Sequence, residues 1–315
     1  MKRLLVIRFS AMGDVAMAAP VVRTVAEQYP DLSVTMLSQQ RFADIFVDMP
    51  PNVLFYGVDL RQQSLREIVA GLGTYDMVAD IHGVIRSLYI RTLLRIRGAK
   101  VVSIDKGRID KHRLIRGKAK KPLKHTIERY AEVLSELGIP RQWDGVRPRM
   151  TSVKEASGIG IAPFAAHLGK VYPTERMERV VELLSGHGEK IVLFGGGKKE
   201  KTILDGWAQK YPGVESVAGK YSLAEELTII RGLRVMLTMD SGNMHLASLV
   251  GTRVVSVWGS THPYAGFLGY GQREEDCIQR DLDCRPCSIY GNKPCRFGDY
   301  RCMDITPEEI VDRLI

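Results

Sequence analysis

Short apolar runs alternate along the whole chain with segments whose apolar residues recur at helical spacing. Runs of four to seven residues, read as strands, lie at Arg3–Phe9, Ser33–Leu37, Val53–Tyr56, Met77–Ile81 and Val101–Ile104. A second set lies at Gly158–Pro163, Lys190–Phe194, Val235–Thr238 and Val254–Trp258. Helical patterns fall between them at Val15–Gln28, Ser64–Leu72, Glu175–Leu184 and Met244–Val250. This β-α-β-α rhythm predicts an α/β fold, with parallel sheets covered on both faces by helices.

The rhythm pauses once. Gly138-Ile139-Pro140 reads as a helix stop, and Arg141–Glu155 is a polar stretch read as a linker. The pattern restarts at "GIGIAPFAAH". Two Rossmann-like domains are expected, 1–150 and 151–315, facing a cleft. Thr306 is placed to cap a short closing helix in "TPEEIVDRLI".

Charge and cysteine content add to this frame. The chain has 315 residues and a net charge of +9. No apolar run approaches the roughly 18 residues of a membrane span. The first apolar stretch is interrupted by Arg8 and has no small-residue cleavage site, so a cytoplasmic protein is expected. Lys and Arg crowd residues 95–129, with Lys118, Lys120 and Lys121 near the centre. Such a segment suits a phosphorylated or carboxylated partner, a membrane surface or nucleic acid, or is simply a solvated loop. The segment has almost no interleaved aromatics, which argues against nucleic acid. All five cysteines lie between 277 and 302. Cys284, Cys287, Cys295 and Cys302 have a spacing compatible with a structural zinc site, or form a packed set of free thiols; Cys277 stands apart.

Ligands of open α/β sheets bind beyond the carboxyl ends of the strands, so the residues just after each run carry the chemistry. Asp14 follows the first strand and opens a helix. It is either a cap for backbone N–H groups or a base. Asp80-Ile81-His82-Gly83 follows another strand and leads to Arg86-Ser87. Lys170 comes just before a helix whose N-terminus can hold an anion. Gly195–Gly197 let a ligand approach the backbone, but the turn is neither a Walker A loop nor G-x-G-x-x-G. Asp240, Ser241 and Gly242 end a strand, with His245 one helical turn further. That arrangement suits a diphosphate.

"DSGNMHLASLVGTRVVSVWGSTHPY", together with "RFSAMGDV", "DIHGVIRS", "KHTIERY" and "CMDITPEEI", resembles the ADP-heptose:lipopolysaccharide heptosyltransferase family, glycosyltransferase family 9. The resemblance implies the GT-B fold, with the acceptor on the first domain and the nucleotide sugar on the second. It implies an inverting transfer that needs no metal, moving heptose or a related sugar from a donor such as ADP-heptose to a lipopolysaccharide core. Asp14, in its Gly13-Asp14 pair, then becomes the general base. Lys170, Asp240, Ser241, Gly242 and His245 fall on the donor diphosphate, Glu200 on the ribose and Tyr221 near the nucleobase. Gly13, His82, Arg86 and Ser87 fall on the acceptor side, with His82 standing where the family usually has Gln. An epimerase acting on nucleotide sugars is the competing reading; it would need no acceptor and would leave the basic segment without a role.

Overall fold

The computed structural model describes residues 1–117, 121–140 and 156–315. The expected linker 141–155 and two of the predicted acceptor residues, Lys118 and Lys120, lie outside these. Contacts divide the chain into two units, Met1–Arg108 with Lys124–Val146, and Ile109–Leu123 with Arg147–Ile315.

The first unit is built on β1 (Lys2–Ile7), β2 (Leu32–Gln39), β3 (Val53–Val58), β4 (Met77–Asp80) and β5 (Lys100–Ser103). These five form one parallel sheet in the order β3-β2-β1-β4-β5. Its helices are α1 (Met12–Gln28), α2 (Leu65–Leu72), α3 (Ile85–Ile96) and α5 (Thr126–Glu136), whereas α4 (Arg108–Ile115) goes with the second unit from Ile109 onward. Ser64 caps α2, accepting from the Glu67 N–H while Glu67 accepts from the Ser64 N–H. That reciprocal pair sets the start of the helix. Leu5, Ile7, Val78, Ile90 and Leu94 form part of the core under one face of the sheet.

The second unit has β6 (Ile159–Ala162), β7 (Ile191–Leu193), β8 (Val214–Ser216), β9 (Val235–Met239), β10 (Arg253–Trp258) and β11 (Cys277–Gln279). All pair in parallel, in the order β11-β10-β9-β6-β7-β8. Its helices are α6 (Thr174–Gly186), α7 (Gly197–Lys210), α8 (Leu223–Arg231), α9 (Gly242–Leu249) and α10 (Pro307–Val311). Every residue of the central strands β6 and β9 is buried, which is why both runs are apolar apart from Thr238, whose hydroxyl donates to the Met239 carbonyl. Thr306 caps α10, as expected.

The basic stretch after β5 departs from the simple two-halves picture. Ile109–Leu123 packs with the second unit: Leu114 lies with Ala265 and Ile289, and the Leu123 N–H donates to the Tyr264 carbonyl. Lys111 is buried, its ammonium 4.4 Å from the centre of the Phe267 ring. Much of the stem of that lysine therefore packs against the fold, so it is not a solvated charge.

Candidate functional site

In each parallel sheet the carboxyl ends of the strands lie along one edge, and Asp14, His82, Lys170, Glu200 and Asp240 follow such ends. In the first unit the chain leaves β1 through Arg8 and Phe9 and enters α1 at Met12. Asp14 sits in the first turn of α1, where its Oδ2 accepts the Ala11 N–H at 3.1 Å. The same oxygen pairs with the Arg8 guanidinium at 2.5 Å, and the Asp14 side chain remains 24% exposed. Asp14 is thus a helix cap and also an oriented carboxylate. Gly13 is buried inside this first turn.

Arg8 was not foreseen as a site residue. It is 8% exposed and donates to the Ile81 carbonyl at 2.8 Å, and its guanidinium lies 5.8 Å from the centre of the Tyr130 ring. Tyr130 is fully buried, and its hydroxyl donates to the Asp14 carbonyl at 3.4 Å. Burial raises the Tyr130 pKa well above the ordinary tyrosine value, so the phenol stays a neutral donor. The "KHTIERY" stretch therefore acts through α5. His125 caps that helix and Tyr130 braces the Asp14 turn.

Asp80 ends β4 with no exposed surface. One oxygen accepts the His82 N–H at 3.0 Å and the Gly83 N–H at 2.8 Å. The other accepts the Ser87 hydroxyl at 3.0 Å and lies 3.4 Å from Arg91. A buried carboxylate needs this many partners, and here they fix the turn into α3. Ser87, expected on the acceptor, is buried and holds this turn together. His82 and Arg86 do line an open pocket of about 820 Å³, together with Ser10, Arg61, Arg91 and Arg108. Lys121 is exposed, on the Ile109–Leu123 segment that packs with the second unit.

His82 is 8% exposed, and its Nδ1 faces the Phe9 N–H at 3.4 Å. Accepting there places the proton of the neutral ring on Nε2. Burial, reinforced by the positive charges of Arg8 and Lys106, lowers its pKa from 6.5 to about 3. A histidine more acidic in the folded than in the unfolded state adds stability above pH 6.5, and that contribution is lost as pH falls toward 3. His82→Gln is expected to flatten the fall in unfolding free energy between those two pH values, measured by denaturant titration. An unchanged slope would mean that the ring charges freely in the folded protein.

In the second unit, Lys170 ends a short 3₁₀ turn after β6, and its ammonium lies 2.8 Å from Asp240 Oδ2. That turn packs tightly: a Cβ on Gly169 would stand 2.3 Å from the Ser260 hydroxyl, so only glycine fits. Asp240 ends β9 and is 4% exposed. Ser241 is the N-cap of α9, and its hydroxyl is 3.1 Å from that of Thr238. Among the described residues no side chain caps α9, and its first turn holds no acid. The helix start keeps N–H donors and its positive dipole end available for an anion. Gly242 opens α9, and His245, buried, lies one turn in. Glu200 sits in the first turn of α7 and accepts the Gly196 N–H at 2.7 Å. Tyr221, half exposed, precedes α8.

Three of the four tail cysteines, Cys284, Cys287 and Cys295, are half-buried, Cys302 is buried, and all five cysteines in the chain are free thiols. As placed they do not fit a metal. Among the described residues no three His, Cys, Asp or Glu side chains come together as a ligand set. Arg285, between the first two cysteines, is buried and donates to the carbonyls of Trp258, Gly259 and Thr261, tying the tail to the end of β10.

Two parallel α/β units with polar side chains at their strand ends are the architecture of the GT-B fold. A family 9 glycosyltransferase from Veillonella parvula superposes with a TM-score of 0.75 at 19% identity, covering 99% of this chain and 96% of that one. The Escherichia coli heptosyltransferase WaaC with ADP-2-deoxy-2-fluoro heptose superposes with a TM-score of 0.69 at 19% identity, covering 92% of this chain and 97% of that one. In sequence, lipopolysaccharide heptosyltransferase 3 of Escherichia coli is 23% identical over 286 residues, 79% of this chain and 81% of its own. The family model for glycosyltransferase family 9 (heptosyltransferase) matches residues 67–300, and the chain belongs to that family.

Proposed function

We propose that the protein transfers heptose from ADP-heptose to a lipopolysaccharide core acceptor, with inversion at the anomeric carbon. The observation that carries this reading is Asp14, a carboxylate oriented at the end of β1 in the unit that also holds the arginine-lined pocket. Its Oδ2 accepts the Ala11 N–H and pairs with Arg8, and the Tyr130 hydroxyl also faces the carboxylate. The carboxylate is assigned to take the acceptor hydroxyl's proton as that hydroxyl attacks the anomeric carbon. Arg8 and the Ala11 N–H hold the carboxylate still while this happens.

The donor is assigned to the second unit. Lys170, the open N–H groups of α9 and His245 provide the positive field that a departing diphosphate needs, in place of a divalent cation. Glu200 is assigned to the ribose and Tyr221 to the base. The acceptor's anionic groups are assigned to Arg86 and its neighbours in the pocket, with neutral His82 offering its Nε2–H. The likeness to the WaaC complex with a fluoro-heptose donor supports the choice of sugar and nucleotide. Among the described residues no helix is long and apolar enough to cross a membrane, and we assign the protein to the cytoplasmic face of the inner membrane. The test is product analysis: ADP-heptose with a lipid-A-type acceptor carrying the inner core sugars should yield ADP and an acceptor heavier by one heptose. Donor consumed without acceptor, and recovered as an isomer, would instead make the protein an epimerase.

A structural zinc outside the transfer chemistry rests on the spacing of Cys284, Cys287, Cys295 and Cys302 alone, and holding it would require these thiols to close up from the positions described above, where they form no ligand set. Metal analysis of protein purified without added metal is expected to find about one zinc per chain. Four free thiols and no metal would remove the assignment.

A further inference from the structure

Helix α3 is apolar on two faces. Its inner face is ordinary: Ser87, Ile90 and Leu94 are buried, and Leu93 packs against the core of the first unit. Its outer face should be polar if it met only water. Instead Ile85 is 84% exposed, Leu88 47%, Tyr89 40% and Ile96 76%. Thr92 is the polar member of the same stripe. At 3.6 residues per turn these five positions fall within an arc of about 100°. Single exposed apolar residues are common, but a continuous stripe of them marks a surface that meets something.

The charges on α3 say what kind of surface it meets. The helix reads IRSLYIRTLLRI and contains no acid. Arg86 and Arg95 flank the stripe on opposite sides, and both are exposed. An apolar stripe bordered by arginines matches a bilayer with anionic headgroups: the apolar side chains enter the acyl boundary and the guanidiniums stay with the phosphates. A second copy of this chain is a poor match. Two α3 helices related by a two-fold axis would set arginines against arginines with no acid on either helix to pair with them.

The stripe also runs into the pocket. Ile85 and Leu88 belong to the stripe and also line the pocket, with Arg86 and Arg91 of the same helix beside them in its lining. Resting on the acceptor reading above, we infer that α3 seats the first unit on an anionic lipid bilayer through Ile85, Leu88, Tyr89 and Ile96. The pocket mouth then opens at the membrane surface, where the sugar end of a lipid-anchored acceptor lies.

The test is co-sedimentation of the full chain with vesicles of phosphatidylglycerol and phosphatidylcholine, compared with phosphatidylcholine alone. The wild type should bind the anionic vesicles and be released by high salt. The double variant Tyr89→Ser/Ile96→Ser alters two exposed side chains that do not line the pocket. It should bind anionic vesicles about tenfold less tightly or weaker, with an unchanged melting temperature. Val47→Ser, at another exposed apolar site (68%), should bind like wild type. With an acceptor stripped of its acyl chains, the double variant should turn over at the wild-type rate; with the same acceptor in vesicles it should be slower. Wild-type protein that ignores anionic vesicles would overturn the inference. So would a double variant that binds them fully, or a wild-type dimer that this double variant abolishes. Vesicle binding without any heptose transfer would instead remove the functional reading and leave the membrane surface standing.

Discussion

Replacing Asp14 by Asn is expected to lower turnover by about 10²–10⁴ while changing donor affinity little. Asn keeps the shape and can still accept the Ala11 N–H, so the first turn of α1 retains its cap. What it loses is the charge and the ability to take a proton. The loss also leaves Arg8, 8% exposed, without its carboxylate partner. A stranded buried charge costs about 3–5 kcal/mol of stability, so unfolding must be followed beside activity. A variant that is folded at the assay temperature, binds donor and does not turn over matches the account. A variant with near-normal turnover would leave Asp14 as a helix cap and nothing more.

Lys170→Ala is expected to weaken nucleotide-sugar binding by about 1.5–3 kcal/mol, the usual worth of a charged hydrogen bond, or about 10–150-fold in Kd. Its effect on folding has a separate origin. Asp240, whose side chain is 5% exposed, loses its cation when Lys170 is removed. The single variant should therefore also be less stable. Adding Asp240→Asn removes the uncompensated charge and should restore much of the stability without restoring donor affinity. Calorimetry separates the two effects. Unchanged donor affinity in Lys170→Ala would place the diphosphate elsewhere.

The nine strands expected from apolar runs are all present, with ends shifted by a few residues. β8 and β11 were not legible in the pattern. Each has three residues and lies at a sheet edge, and Glu215 and Gln279 break their apolar character. Edge strands are covered on one side only, so their sequences need no long apolar run.

The candidate site was legible only as a set of positions after strands. Asp14, Lys170 and Asp240 could be picked out because an α/β sheet puts ligands at that end of its strands. The partners of these residues were not legible, because tertiary folding supplies them. Lys170 meets Asp240 from another strand end, and Tyr130 reaches the Asp14 turn from 116 residues away. Arg8 did leave a trace, as a charge inside an otherwise apolar run. Ser87 and Lys111 show the converse. Both are polar and look available in the sequence, yet one is consumed by Asp80 and the other packs on Phe267.

The configuration of the glycosidic bond in the product tests the central claim most directly. If Asp14 deprotonates an acceptor hydroxyl that attacks the anomeric carbon in one displacement, nuclear magnetic resonance of the product should show heptose linked with the anomeric configuration opposite to that of the donor. A heptosylated product with the donor's configuration would require a double displacement, and Asp14 could not be the base of a single one.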